Sequence, residues 1–317
     1  MRIVVGTTTL EVSDAAIDDG LTLKGPLSRR NAAVGLVLPE YLIDDYSAIA
    51  DLSVWRWPIP NDAFVPDKKG RRFCTPEFTF LLLARLLDVK ELALFGLELC
   101  GTYAIDANDS RGFVTCTVPE TTVDKLRKFL DSCPGAPGHR KATSALKYIA
   151  DRSASPMESV LVLLLCLPRR LGGFGLPMPE LNVSVDELKG LKNSRKGPIV
   201  DLIWRIALFS LEYDSDMFHT GADRIANDSR RRAILAELGI QSLSVTNEQI
   251  KDPVELERIA KLAAKALNKK FHKVSRDLKE RNNSLREQLC AFTYVEPKPD
   301  NPKQQYAEHD VPEPDAC

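Results

Sequence analysis

The apolar residues of this chain are grouped in two ways. Between Ile199 and Tyr213 the sequence IVDLIWRIALFSLEY contains two short apolar runs, LIW and IALFSL, which read as strands and predict a hairpin over 199–213. Further strands are predicted around LNVSV (181–185) and IQSLSV (240–245). Helical spacing marks CTPEFTFLLLARLLDV (74–89), where Thr75 can cap and Pro76 fits the first helical position. It also marks a helix running to about Ala150, one from Ser155 to Leu167, one over 222–238 and a long one from about 253. The first 140 residues mix strand-like runs (RIVV, VGLVLP, SVWRWPI) with the helical signal at 74–89, and no internal repeat is present.

The turn-rich segment DSCPGAPGHRK (131–141) reads as a linker, dividing an N-terminal α+β domain, 1–140, from a second domain, 141–290. Residues 296–317 hold five Pro and six acids and bury almost nothing, so 291–317 is read as a disordered acidic tail. A length of 317 residues, 44% hydrophobic and 27% charged, is that of a soluble two-domain protein. Net charge is −1, so affinity for nucleic acid must come from local patches. The seven cysteines form no C-x-x-C pair, which favours reduced thiols over a disulfide framework or zinc site. No secretory signal is evident, and the longest apolar run, Val160 to Leu167, is too short to span a bilayer. Both point to a cytoplasmic protein with no membrane partner.

Three carboxylates stand at the ends of the hairpin strands. Asp201 precedes LIW, and Glu212 and Asp214 flank Tyr213. Residues i and i+2 of a strand share a face, so Glu212 and Asp214 emerge together. An acid pair on a greasy hairpin is costly unless a cation compensates it, and a hard divalent ion with oxygen ligands, Mg2+ or Mn2+, would do so. Simpler accounts stand beside this one. Asp201 can be a turn residue after Gly197-Pro198, and Glu212 can pair with an arginine of the 230–232 cluster. Glu158, three residues after Ser155, fits a capping box. Asp228 and Arg231, three apart on a helix, read by default as a surface pair. GGFGLP (172–177) lacks the Lys-Ser/Thr of a phosphate loop and reads as a helix stop and turn.

Taken together, Asp201, Glu212-x-Asp214, His219 and Asp228-x-x-Arg231-x-x-x-Leu235 resemble the PD-(D/E)XK nuclease superfamily, in its very-short-patch-repair-endonuclease-like branch, over roughly 150–270. The predicted order α-β-β-β-α-β is that of the superfamily's restriction-endonuclease-like core, a mixed sheet flanked by helices. The resemblance implies an Mg2+- or Mn2+-dependent endonuclease that hydrolyses DNA phosphodiesters, in phage defence or DNA repair. Asp201 and Glu212 would hold the metal, with Glu158, the acid of the N-terminal helix, turned toward the metal and reaching a water on it or a second ion. The third position, a lysine in the pattern, is Asp214 here, a second ligand or the mark of a silent site. With that lysine absent, His219 is the candidate general acid or base, against a plain surface role capping the turn before TGADR. In the first half, residues 53–84 followed by LALFGLELCGTY (92–103) resemble the non-nuclease half of bacterial proteins that join an abortive-infection-type antitoxin domain to this nuclease fold. No helix-turn-helix signal precedes it.

From Arg258 to Arg286 ten Lys/Arg stand against two acids, while Leu267, Phe271, Val274, Leu278, Leu285 and Leu289 recur at heptad-like spacing. That stripe is expected to pack on the core or on a protein partner's helix, with Lys269, Lys270 and Lys273 in water or on DNA. Arg230, Arg231 and Arg232 are further candidates for phosphate contact. The low aromatic fraction, 7%, argues against a stacking platform for single strands. Two alternatives to an endonuclease remain: a catalytically silent DNA-binding regulator of antitoxin type, and a protein-interaction module.

Overall fold

A run of apolar residues with no polar side is stable only where every side is covered. Residues Val160 to Leu167 are buried, and helices Val89–Leu99 and Arg276–Thr293 pack on the helix that carries them. The computed structural model describes residues 2–5, 8–11, 57–58, 60, 62–66, 72–106, 109, 111–190, 198–214 and 222–293, with the backbone alone at 2–5, 8–11, 72–73, 222–228, 230 and 292–293. The strand-like run VGLVLP, His219 and the acidic tail from 294 onward lie outside the described residues.

The protein is mixed α/β. Two antiparallel pairs, β1 (Arg2–Val5) with β2 (Thr8–Glu11) and β3 (Phe64–Pro66) with β4 (Arg72–Cys74), precede helices α1 (Pro76–Leu83) and α2 (Val89–Leu99). A third pair, β5 (Tyr103–Ile105) with β6 (Phe113–Thr115), leads into α3 (Val123–Ser132) and α4 (His139–Leu146). There follow α5 (Pro156–Cys166), β7 (Glu180–Ser184), the single turn α6 (Val185–Leu188), β8 (Ile199–Trp204), β9 (Phe209–Asp214), α7 (Ala222–Glu237) and β10 (Gln241–Thr246). Helices α8 (Asn247–Lys251), α9 (Pro253–Ala266) and α10 (Arg276–Thr293) complete the described chain.

From α5 to β10 the long elements run α-β-β-β-α-β, with α6 a one-turn interruption. The four strands form one sheet in the order β10-β9-β8-β7, antiparallel across β7, β8 and β9 and parallel between β9 and β10. Alternation sorts the hairpin. Leu202, Trp204, Phe209 and Leu211 face the main core, while Ile203 joins Leu235 of α7 in a smaller cluster on the opposite side.

Caps fix the helix starts. Ser155 Oγ accepts from Glu158 N at 3.2 Å, with Pro156 in the first turn of α5, and Asp88 forms a reciprocal capping box with Glu91 on α2. Gly172 adopts φ +94°, and a side chain at Gly173 would collide with the Leu167 carbonyl, so GGFG serves as a tight stop after α5.

The main core is continuous from Ala63 to Leu289 and runs across the turn-rich 131–141 segment. The Gly96 backbone of α2 lies against the Ile149 side chain, and Gln288 of α10 donates to both Asp88 and Glu91 at 3.0 Å. The cysteine thiols of the described residues are free, and burial pushes Cys74 up to about 11. No helix among the described residues is long and apolar enough to cross a membrane.

The long basic helix expected from about 253 is two helices. The chain leaves α9 at Ala266, Asn268 takes φ +51°, and α10 begins after Ser275, whose Oγ accepts from Leu278 N at 3.2 Å. Lys269, Lys270 and Lys273 therefore lie in a connection and not on a helical face. The apolar stripe packs inward. Val274, Leu278, Leu285 and Leu289 are buried and Leu267 and Phe271 pack against the same core, so the chain itself covers the surface read as suitable for a partner helix.

Candidate functional site

The β8–β9 ladder pairs Trp204 with Phe209, Ile203 with Ser210 and Leu202 with Leu211. The ladder ends at that pair; just beyond it Asp201 and Glu212 follow on the neighbouring strands, and the Tyr213 N–H turns to the Asp201 side chain. The sheet continues through the parallel strand, where Ser244 pairs with Glu212 and Thr246 with Asp214. On the other side, Leu181–Leu202 and Val183–Val200 bracket Asn182 opposite Asp201. Asn182 takes φ +48°, a conformation that asparagine tolerates better than most residues, and this removes it from the ladder. Asn182, Asp201, Glu212 and Ser244 thus come from four neighbouring strands, with Glu212–Ser244 the ladder pair among them.

Glu158 reaches this group from the first turn of α5. Its carboxylate accepts from Ala154 N at 3.0 Å, from Ser155 Oγ at 3.0 Å and from Asn182 Nδ2 at 2.7 Å. The helix-capping reading of Glu158 holds in part: Ser155 caps it, while its carboxylate returns to the Ala154 amide and extends to Asn182. The charge of Glu158 also acts on Asp201. Burial, then the charges of Glu158 and Glu212, push the Asp201 carboxyl up to about 8, against the Tyr213 amide and Arg231, which lower it. The Tyr213 N–H donates to Asp201 Oδ2 at 2.8 Å. Burial raises Glu158 as well, opposed by its three donors.

A cleft of about 910 Å³ opens over these acids, lined by Glu158, Asp201, Glu212 and Asp214 together with Arg111, Arg231, Arg232 and Lys251. Arg231 Nη2 lies 3.3 Å from Glu212 Oε2, and its Nη1 donates to the Ile199 carbonyl at 3.5 Å. Arg231 thus reaches across to β9 as the arginine partner weighed for Glu212, while Asp228, its other candidate partner, is described in its backbone alone. With Glu212 only 4% exposed, this pair is the compensation that a buried acid demands. Arg232 is exposed at the cleft wall, while Arg230 is described in its backbone alone. Lys269, Lys270 and Lys273 are not among the residues lining this cleft. Lys269 lines a separate groove with Arg258, Lys261 and Lys265.

Among the described residues no group of three or more His, Cys, Asp or Glu stands close enough to hold a metal ion. Two carboxylates on one cleft, with room for water, suit Mg2+ or Mn2+, which take one or two protein carboxylates and keep several waters. Burial first, and then the charges of Glu158 and Glu212, raise the proton affinity of Asp201, and a divalent cation beside it would offset the second of these, so Asp201 with Glu212 matches that donor chemistry.

Sequence reasoning missed Asn182, Arg111, Phe113 and Lys251. An asparagine inside a predicted strand was the one available signal, since asparagine is depleted there. The other three come to the cleft through tertiary packing. No protein-family model, curated protein or solved structure matches this chain.

Proposed function

We propose that the α5–β10 unit is a restriction-endonuclease-like core and that its cleft hydrolyses phosphodiester bonds of nucleic acid with Mg2+ or Mn2+. The observation that carries this reading is that Asp201 and Glu212, from adjacent antiparallel strands, line one cleft with Glu158 and three arginines, with the charges of Glu158 and Glu212 both acting on Asp201. Asp201 and Glu212 hold the ion, and Glu158, locked by Ala154, Ser155 and Asn182, stands beside them on the cleft. A bound divalent ion supplies Lewis acidity and lowers the pKa of an attacking water. Arg231 and Arg232 receive the phosphate, and for Arg231 this entails release of Glu212.

The test is cleavage of single-stranded, duplex and mismatched DNA with and without Mg2+ or Mn2+. Activity is expected to require the metal and to fall at least about a hundredfold in Asp201→Asn and in Glu212→Gln, with the fold intact by circular dichroism, on the order of what one well-placed electrostatic group supplies in a dry site. Full activity in either variant overturns the assignment.

The Arg231–Glu212 ion pair and Asp214 in the lysine position favour a second reading, a silent DNA-binding regulator of antitoxin type in which the acids serve the fold. That reading predicts salt-dependent DNA affinity with no response of the thermal midpoint to Mg2+.

A further inference from the structure

The β5–β6 hairpin belongs to the N-terminal half, yet Arg111 and Phe113 line the same cleft as the acids. The Arg111 guanidinium carbon lies over the Phe113 ring, 5.0 Å from its centroid. Asp109 holds the in-plane edge of the guanidinium, accepting from Nε at 3.1 Å and from Nη2 at 3.4 Å, and also accepts from the Arg111 backbone amide at 2.8 Å. Phe113 in turn meets Tyr103 edge-on at 6.2 Å and 85°. Tyr103 is 2% exposed, and its hydroxyl lies 2.9 Å from Ser159 Oγ, the residue after Glu158 on α5. The hairpin is thus fixed to the helix that carries one of the site's acids.

An arginine that serves as a phosphate clamp directs its donor edge at the ligand. Here part of that edge is given to Asp109, while the guanidinium carbon stands over the Phe113 ring. The Arg111 side chain lines the cleft and is 57% exposed. A guanidinium plane is weakly hydrated and stacks on flat π systems. We propose that Arg111, layered on Phe113, is a stacking platform for one unpaired base of a nucleic-acid strand lying in the acid cleft. The identity of the ligand rests on the nucleolytic reading above. Its phosphates would meet Arg232 and Lys251, which line the same cleft.

The stacking group selects the form of the ligand. A cleft of about 910 Å³ has room for a nucleotide or two beside Arg111. Paired bases hide their faces within the stack, and only a single-stranded or extruded base presents one. The low aromatic fraction speaks against an extended stacking surface along the chain, and a single arginine–phenylalanine layer brought into a cleft by packing escapes it.

The experiment measures binding in EDTA, with no cleavage possible, using a short single-stranded oligonucleotide that carries a fluorescent purine analogue and the same oligonucleotide annealed to its complement. The single strand is expected to bind at least about tenfold tighter than the duplex and to quench the analogue on binding. Arg111→Lys keeps the charge and loses the plane. It should weaken single-strand binding by roughly tenfold and abolish the quenching, with the slope of log affinity against log salt little changed. Phe113→Leu, which retains apolar packing on Tyr103, should give an intermediate loss. Arg111→Lys binding and quenching like the unaltered protein would reduce Arg111 to a plain charge and overturn the proposal. Equal affinity for duplex and single strand, or no binding of either, overturns it too. Because no metal is present, loss of the Arg111 effect with metal-dependent cleavage intact removes this inference alone. Stacking without any cleavage removes the nucleolytic reading alone.

Discussion

A buried aspartate set against two other carboxylates binds a proton more tightly in the folded protein than in the unfolded chain, burial being the larger cause. Asp201 is pushed from 3.8 to about 8, so between those values the folded state holds a proton that the unfolded chain has released. The stability linked to this group is present at the acid end of the window and is lost as pH rises through it. The thermal midpoint of the metal-free protein is expected to be higher near about pH 6 than near about pH 9, with the difference reduced in Asp201→Asn. Mg2+ should raise the midpoint more at the alkaline end, where no proton competes for the carboxylate. Identical pH profiles for the two proteins would remove the raised titration of Asp201, by burial and by its neighbours, from the account.

Asn182 stands on the strand beside Asp201. Asn182→Ala removes a donor to a buried carboxylate and places a Cβ-bearing residue at φ +48°, which should cost about 2–4 kcal/mol in urea unfolding. Asn182→Gly, which keeps the backbone conformation, should cost about 1 kcal/mol less. Asp201 and Glu212 were legible because strand period and hairpin register are properties of the local sequence. The role of Asn182 was not, because its significance depends on which residue the neighbouring strand sets beside it.

At the scale of elements, the helix starts were readable at Thr75, Ser155 and the Pro residues that follow them. The break between α9 and α10 carries neither Gly nor Pro, and Asn268 in the left-handed region is a conformation the surrounding packing selects. The heptad-like spacing ran through the break because the stripe continues to bury itself on the core after the backbone has turned. This relocates the basic residues. Lys261, Lys265 and Lys269 share a concave groove with Arg258, whereas Lys270 and Lys273 are not among its lining residues. If a nucleic-acid backbone tracks that groove, reversing Lys261, Lys265 and Lys269 to Glu should lower the slope of log affinity against log salt by about one for each phosphate no longer neutralised, and reversing Lys270 and Lys273 should do little. An unchanged slope in the first set assigns these lysines to solvent.

For the whole molecule, composition and the Pro-Gly-rich segment at 131–141 suggested two separable halves. The described core passes through that segment without a gap. α2 packs on α4 and α5, α10 packs on both α2 and α5, and the β5–β6 hairpin supplies a wall of the cleft whose acids come from α5, β8 and β9. Turn-rich composition reports where a chain reverses and not which surfaces then meet, which is why the sequence could not show this. Residues 141–293 produced alone would expose the α5 and α10 faces that α2 covers, an apolar area large enough to favour aggregation or a loosely packed state. The expected outcome is a fragment that keeps helical circular dichroism, binds a hydrophobic dye and lacks dispersed methyl resonances. Adding back residues 57–140 should restore cooperative unfolding. A fragment 141–293 that melts cooperatively by itself, at the midpoint of the whole protein, would show that the two halves fold apart and that the cleft wall from the N-terminal half is an accessory to a self-sufficient core.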